Sequence, residues 1–251
     1  MPELPEVEVV KRSLINKTLN SIVRAVKIND GRLRYRIDYS QIKKIVGLKI
    51  NKILRRSKYL LFFFNKDVVM LVHLGMTGKF FYIDEKNTKF KTSFYYSMNK
   101  DKDKKYDRIV FTLSNNRKLI YNDVRKFGFI KFFKKYELKY NLHLKNLGPE
   151  ALSKKFNFSY FKDYIIGRKR TIKDILMDQK FISGLGNIYV NEILYLSEVR
   201  PTKKTASLTN KEINNIIQFT KEILLRAIKL GGSSIKDFSS TSGKKGLFQQ
   251  Y

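Results

Sequence analysis

The chain has 251 residues, room for one or two domains, and 43% of them are apolar, so a packed core is expected rather than disorder. It contains no cysteine, which excludes disulfides, thiolate catalysis and any cysteine-based zinc site within these residues. Lys and Arg number 52 against 22 Asp and Glu, a net charge of +30 that points to a polyanionic partner, most simply nucleic acid.

Part of that excess reflects a composition rich in Lys, Asn, Ile, Phe and Tyr, as AT-rich coding produces, but the acidic residues have not risen in parallel. The charge is spread through otherwise apolar segments, as a binding groove requires, rather than gathered into a tail. No basic-then-apolar leader opens the chain, and no apolar run approaches the ~20 residues needed to cross a bilayer. A cytoplasmic protein with no membrane partner is expected.

The chain opens Met1-Pro2-Glu3-Leu4-Pro5-Glu6. An initiator Met before a small residue is normally removed, which leaves Pro2 with a free secondary amine. α-Amino groups titrate near ~8, so a useful fraction is neutral at physiological pH. Such an amine attacks a carbonyl carbon to form a Schiff base, and Glu3 is the adjacent acid or base. Taken alone, the hexapeptide reads equally well as a disordered start that happens to hold prolines. Val7, Val9, Val10, Leu14 and Ile15 then predict a helix over 6–16.

From 19 to 133 the pattern changes to short β-branched and aromatic runs with polar breaks, at 21–28, 48–54, 60–64, 68–74 and 79–83. A hairpin of 109–113 with 118–121 follows, around Asn115-Asn116. Residues 84–105 are polar and lysine-rich and read as a long mobile loop. After 134 the spacing is helical, over 156–166, 172–177, 187–196 and 210–229. In the last of these Thr209 and Glu212 form a capping box and Leu208 staples onto Ile213. Ile213, Ile216, Ile217, Thr220, Leu224, Ala227 and Ile228 mark one apolar stripe. Gly184-Leu185-Gly186-Asn187 is a turn before a helix N-terminus that suits a phosphate, with Asn187 capping the helix or donating to a phosphate oxygen; taken alone it reads first as a plain structural interhelical turn. The expected fold class is α+β. An antiparallel β-sandwich with a leading helix occupies 1–133, a linker 134–150, and a helical domain 151–251.

Taken in order and at compatible spacing, a set of motifs resembles the bacterial formamidopyrimidine-DNA glycosylase family. They are Pro2-Glu3-Leu4-Pro5-Glu6-Val7-Glu8, Arg55-Arg56-Ser57-Lys58-Tyr59-Leu60, His73-Leu74-Gly75-Met76-Thr77-Gly78, Asn122-Asp123-Val124-Arg125-Lys126-Phe127-Gly128, Gly148-Pro149-Glu150, Asp178-Gln179 to Tyr189, Glu192-Ile193-Leu194 and Gly231-Gly232 to Asp237-Phe238. The resemblance runs from residue 2 to about 250 and implies a helix-two-turn-helix arrangement in the second domain. It implies double-stranded DNA carrying oxidised purines or abasic sites as the partner, bound by a monomer, with the damaged base flipped out before chemistry. It casts Pro2 as the nucleophile, Glu3 as the acid that opens the sugar ring, and Lys58 as proton donor and phosphate contact. Met76, Arg125 and Phe127 fill the vacated space, the apolar pair as wedges and Arg125 on the orphaned base; without the resemblance, Met76 and Phe127 read as core. His73, Tyr106, Lys126, Lys169 and Asn187 contact the DNA, and the 231–246 loop closes over the flipped base.

The chain departs from the family pattern in three places. Tyr106-Asp107-Arg108 stands where the family commonly has His-Asp-His, after a longer loop, so the contact expected of the first His falls to Tyr106. Lys126 replaces the usual second Arg, a point charge in place of a fork. The family ends in a four-cysteine zinc finger that grips DNA, and this chain stops at Tyr251, about where that finger begins. Without it no zinc and no other cofactor is expected, and each lost charged contact costs ~1–3 kcal/mol. Three readings follow: a bifunctional glycosylase and abasic-site lyase, a fingerless relative that binds lesions but turns over poorly, and, from charge alone, a general RNA-binding protein.

Overall fold

The β-branched and aromatic runs of the first half fold as strands β1 (Val23–Ile28), β2 (Ile50–Arg56), β3 (Tyr59–Phe64), β4 (Val68–His73), β5 (Lys79–Ile83), β6 (Lys89–Lys91), β7 (Asp107–Leu113), β8 (Lys118–Asn122) and β9 (Phe129–Lys134). They form two antiparallel sheets, ordered β1-β7-β8-β5-β6 and β2-β3-β4-β9. This computed structural model describes residues 1–83, 89–91 and 104–233, the side chains of 89–91 and 115 excepted. Most of the loop expected over 84–105, and the 231–246 loop beyond Ser233, lie outside the described residues.

Helix α1 (Leu4–Thr18) buries Val7, Val10 and Leu14 in one core with Leu60, Phe62, Met70 and Val72 of one sheet and Phe80, Phe111 and Tyr121 of the other. The two sheets therefore share a single apolar interior, the β-sandwich that the strand pattern implied. Three elements went unread in the sequence: the five-residue α2 (Tyr39–Lys43), capped by Asp38; β6, a strand paired with β5 within the 84–105 segment expected as a mobile loop; and β9, which carries the sheet to Lys134, into the segment expected as linker. A 3-10 turn over Lys135–Tyr140 follows it.

Contacts group the chain into two units, Met1–Leu138 with Leu230–Tyr251, and Lys139–Lys229. The sequence pattern kept 230–251 with the helices. In the structure residues 230–233 group with the β unit, and Ser233 N–H donates to Glu6 Oε1 at 3.0 Å. The second unit holds α3 (Phe158–Ile165), α4 (Ile172–Met177), α5 (Asn187–Leu196) and α6 (Asn210–Lys229). The capping box of α6 forms: Thr209 N–H donates to Glu212 Oε2 at 2.8 Å and Glu212 N–H to Thr209 Oγ1 at 3.2 Å. Gln179 pins the α4–α5 turn, donating to the Leu185 carbonyl at 2.8 Å and accepting the Gly184 N–H at 2.9 Å. Among the described residues no helix is long and apolar enough to cross a membrane.

The β4–β5 and β8–β9 loops meet on one buried carboxylate. Asp123, fully buried, accepts from the Thr77 hydroxyl and from the Gly128 N–H at 2.8 Å, while Thr77 Oγ1 accepts the Arg125 N–H at 3.0 Å. The backbones are in contact: a Cβ on Gly128 would lie 1.9 Å from the Tyr121 hydroxyl and 2.8 Å from the His73 carbonyl. Gly75, at φ +65, admits no Cβ either, since it would lie 2.4 Å from Gly128 N. Gly128→Ala is therefore expected to lower unfolding free energy by ~1–3 kcal/mol, as overpacking does. An unchanged urea midpoint for that variant would refute the close contact.

Candidate active site

The amino end of α1 is built from inward-facing acids. Glu3, Glu6 and Glu8 are 3%, 1% and 8% exposed, an unusual state for carboxylates unless each is hydrogen-bonded. Glu6 accepts the Glu3 N–H at 2.8 Å through Oε2 and the Ser233 N–H through Oε1. One side chain thus ties the start of the helix to the segment after α6. Glu8 accepts from Lys11 at 2.6 Å, Arg12 at 3.1 Å and Arg55 Nε at 3.0 Å. Burial pushes its carboxyl up, but the Lys11 and Arg55 hydrogen bonds outweigh that and hold it below its ordinary value.

Arg55 passes this order on to Lys58. Its Nη1 donates to the Ser57 carbonyl at 2.9 Å, at the two-residue turn between β2 and β3 where Ser57 takes φ +55. The turn folds Lys58 inward, and it is 7% exposed, not the surface lysine that Arg55-Arg56-Ser57-Lys58 would suggest from composition. Burial lowers the Lys58 ammonium below its ordinary value, against the opposing pull of Glu3 and Glu6. The amino-terminal amine is lowered as well, by burial first, with Glu3 and Glu6 pulling up and Lys58 and Arg125 pushing down. Chain terminus, Glu3, Glu6 and Lys58 thus share one electrostatic neighbourhood. Pro2, beside that amine, is buried.

The loops held by Asp123 present the next group. Met76 is 37% and Phe127 44% exposed, and Arg125 is exposed with its guanidinium 4.5 Å from the Phe127 ring centre. These are not the core residues that their side-chain type alone suggests. With Met1, Arg32, Leu33, Arg34, His73, Gly75 and Lys126 they line a recess of about 730 Å³. His73 ends β4, stacked 5.5 Å from Phe129 and tilted 5.1 Å from Tyr59, and its Nδ1 accepts the Gly75 N–H at 3.2 Å. A nitrogen that accepts carries no proton, so the proton of the neutral ring sits on Nε2.

Tyr106 ends a 3-10 turn before β7, half-buried, its ring flanked by Lys105 at 4.9 Å and Arg108 at 5.6 Å and its carbonyl accepting the Asp123 N–H. Lys126 is ion-paired with Asp30 at 2.8 Å, so its charge is partly engaged within the unit. In the helical unit Lys169 is exposed in the α3–α4 loop. Asn187 is exposed too, but it does not cap α5: Gly186 holds the cap position in extended geometry and Asn187 is the first helical residue. A glycine before the helix leaves the cap without a side chain and releases the Asn187 amide. The site gathers several residues to which the sequence reading gave no role: Glu6, Glu8, Arg55, Thr77 and Asp123. Acids inside an amphipathic pattern, as at Glu6 and Glu8 beside Val7, were the one available signal.

Residues 1–130 match the family model described as formamidopyrimidine-DNA glycosylase N-terminal domain, and residues 147–239 the formamidopyrimidine-DNA glycosylase H2TH domain. The chain is 40% identical over 250 residues to a formamidopyrimidine-DNA glycosylase of Rickettsia felis, covering 100% of this chain and 85% of that one. A relative of the same name from Rickettsia bellii is 39% identical, with 86% of it covered. Among solved structures, the Lactococcus lactis Fpg in complex with abasic-site DNA superposes with a TM-score of 0.82 at 31% identity, over 99% of this chain and 86% of that one. The same protein with N7-benzyl-Fapy-dG DNA gives 0.83 at 32%, with the same coverage. The chain belongs to the formamidopyrimidine-DNA glycosylase family.

The Gly75 contact fixes a tautomer that can be measured. Long-range 15N–1H spectra at neutral pH are expected to show the His73 proton on Nε2 and a bare Nδ1, with His73→Gln distinguishing its signals from those of His143. Protonated Nδ1 in the neutral ring would overturn this geometry.

Proposed function

We propose that this family member is a bifunctional DNA glycosylase and abasic-site lyase of base-excision repair. Its substrate would be double-stranded DNA carrying an oxidised purine such as 8-oxoguanine or a formamidopyrimidine, and its nucleophile the amine of Pro2 after removal of Met1. One observation carries the reading. The recess that opens beside the chain terminus is lined by exposed Met76, Arg125 and Phe127, while the acids and lysine suited to the chemistry are buried at the amine.

The flipped nucleotide presents C1′ to the neutral Pro2 nitrogen, whose lone pair forms the new C–N bond as the base leaves with its bonding electrons and takes up the proton that the Pro2 nitrogen gives up. Glu3 gives its proton to the ring oxygen as the C1′–O4′ bond opens, leaving an iminium. That electron sink acidifies C2′. Loss of a C2′ proton expels the 3′ phosphate, and a second elimination expels the 5′ phosphate. Lys58 donates to a departing phosphate. Burial lowers the Lys58 ammonium and the Met1 amine. A Pro2 amine buried at the same place is suited likewise, because a lowered amine is neutral, and so nucleophilic or ready to exchange protons, nearer neutral pH.

Met76 and Phe127 wedge into the space left by the flipped base and Arg125 takes the orphaned partner. His73 through Nε2–H, Tyr106, Lys126, Lys169 and Asn187 hold phosphates, with Lys126 the weaker contact because Asp30 already engages it. The family's four-cysteine zinc site has no ligands among these 251 residues. DNA in the cytoplasm is the partner proposed.

Borohydride is expected to trap a covalent adduct between protein with a verified free Pro2 and an 8-oxoguanine duplex. Pro2→Gly should abolish trapping, and Glu3→Gln should slow it by roughly 100-fold, as loss of a positioned acid does. Salt-dependent binding by such protein without any adduct would sink the reading in favour of a lesion-binding relative. Attack needs the neutral amine, whose fraction grows with pH, and burial moves that growth to lower pH. Pro2 is buried beside the Met1 amine that burial lowers, so its own amine is expected to be lowered likewise once Met1 is removed. The trapping rate should therefore rise through an inflection below the ordinary α-amino value of 8.0; an inflection at or above it would contradict a buried Pro2 amine.

A further inference from the structure

Asp30 is an acid on a surface assigned to a polyanion. It lies two residues beyond β1, and its carboxylate meets three cations: Arg32 at 2.9 Å, Arg108 at 3.0 Å and Lys126 at 2.8 Å. A carboxylate beside DNA repels it, so an internal duty is the reasonable explanation for an acid here. The three pairs are not equivalent. Arg32 is 78% exposed, and a pair that exposed contributes little. Arg108 and Asp30 have side chains 6% and 15% exposed, where losing one partner leaves an uncompensated charge with little water. The Arg108 Nε also donates to the Asp123 carbonyl at 2.8 Å, and Nη2 reaches the Val124 carbonyl at 3.5 Å.

Asp30 therefore grips the β8–β9 loop twice. Through Arg108 it holds the root of the loop at Asp123 and Val124. Through Lys126 it holds the tip directly. Arg125 lies between these two points and Phe127 follows the second. Lys126 sits at φ +59, a left-handed conformation that costs a non-glycine residue on the order of 1 kcal/mol or more and persists only where its surroundings enforce it. That turn sends Lys126 toward Asp30 and its two neighbours outward. The anchor is itself fixed, since the Asn29 N–H donates to the Arg108 carbonyl at 2.9 Å and the Asn29 side chain to the Asp107 carbonyl at 3.0 Å. Arg108, from β7, and Lys126, from the β8–β9 loop, converge on this one carboxylate.

We infer that Asp30 is a positioning residue that sets Arg125 and Phe127 for the orphaned base, so that this chain's discrimination of the base opposite a lesion depends on a carboxylate that never touches DNA. The inference rests on the proposed role of Arg125 but not on catalysis, so binding tests it. The probe is a duplex with a tetrahydrofuran abasic analogue opposite cytosine or adenine, and the quantity read is the ratio of the two Kd values. Arg125→Ala should collapse that ratio by on the order of tenfold, the scale of one lost base contact. Asp30→Asn should lower it by roughly threefold or more, as a misplaced contact does, while Asp30→Glu restores it. A wild-type ratio in Asp30→Asn, whether or not its melting temperature falls, would reduce Asp30 to a structural residue and overturn the inference. A ratio unchanged in Arg125→Ala would instead overturn the underlying reading of Arg125, and this inference with it.

Discussion

The Asp123 carboxylate is the constraint on which the site depends. It is fully buried, so its charge must be met by donors, and it takes them from both loops that carry exposed apolar side chains. Met76 and Phe127 face water at a cost of ~25 cal/mol for each Å² of apolar surface left uncovered. Two free loops would relax by folding such side chains onto the sandwich. They are prevented because Thr77, Asp123, Arg125 and Gly128 close a ring of hydrogen bonds and because glycines at 75 and 128 allow the two backbones to touch. In the proposed role, side chains that wedge into a base stack must be held stiff before they meet it, and this ring supplies the stiffness.

The same logic extends to the chain terminus. A protein of net charge +30 has few acids, and several of them are turned inward here: Glu3, Glu6, Glu8 and Asp123 all lie under 9% exposure. Each organises something. Glu6 joins the helix start to Ser233, Glu8 orients Arg55 and through it the Lys58 turn, and Asp123 joins the two loops. Acids serve as internal clamps while most cations remain outside for a polyanion. The arrangement also avoids a conflict, since an acid on the binding face would oppose the affinity that the cations supply.

Much of the fold could be read from the sequence, because the strands are apolar runs set between polar breaks and α6 carries both a capping box and an apolar stripe. What escaped did so for local reasons. The five residues of α2 are too few to show a period. In β9, Phe129-Ile130-Lys131-Phe132-Phe133 is too continuous to mark a boundary against the basic residues that follow. The β unit also recruits chain from beyond α6, which no local pattern announces. Within the proposed site, motif order singled out Pro2, Glu3, Lys58, Met76, Arg125 and Phe127, but burial did not follow from residue type: the lysine is inside and the methionine and phenylalanine are out. Asn187 missed its expected place by one residue, because a glycine ahead of it took the cap.

These reversals have a common cause. Side-chain type predicts burial only where the energy of burial decides the outcome, and at this site backbone geometry decides it first. Ser57 at φ +55 turns Lys58 inward, and Lys126 at φ +59 turns its neighbours outward. Each strained residue is held by a guanidinium that bonds the adjacent backbone, Arg55 at the Ser57 carbonyl and Arg108 at the carbonyls of Asp123 and Val124. Both arginines are answered by a carboxylate from another element, Glu8 and Asp30. The chain thus uses one device twice, an acid and an arginine that lock a left-handed residue, once to bury a lysine beside the chain terminus and once to expose the residues that face the recess. Arginine suits both places because its fork can satisfy an acid and a backbone carbonyl together, which the single ammonium of lysine does less well.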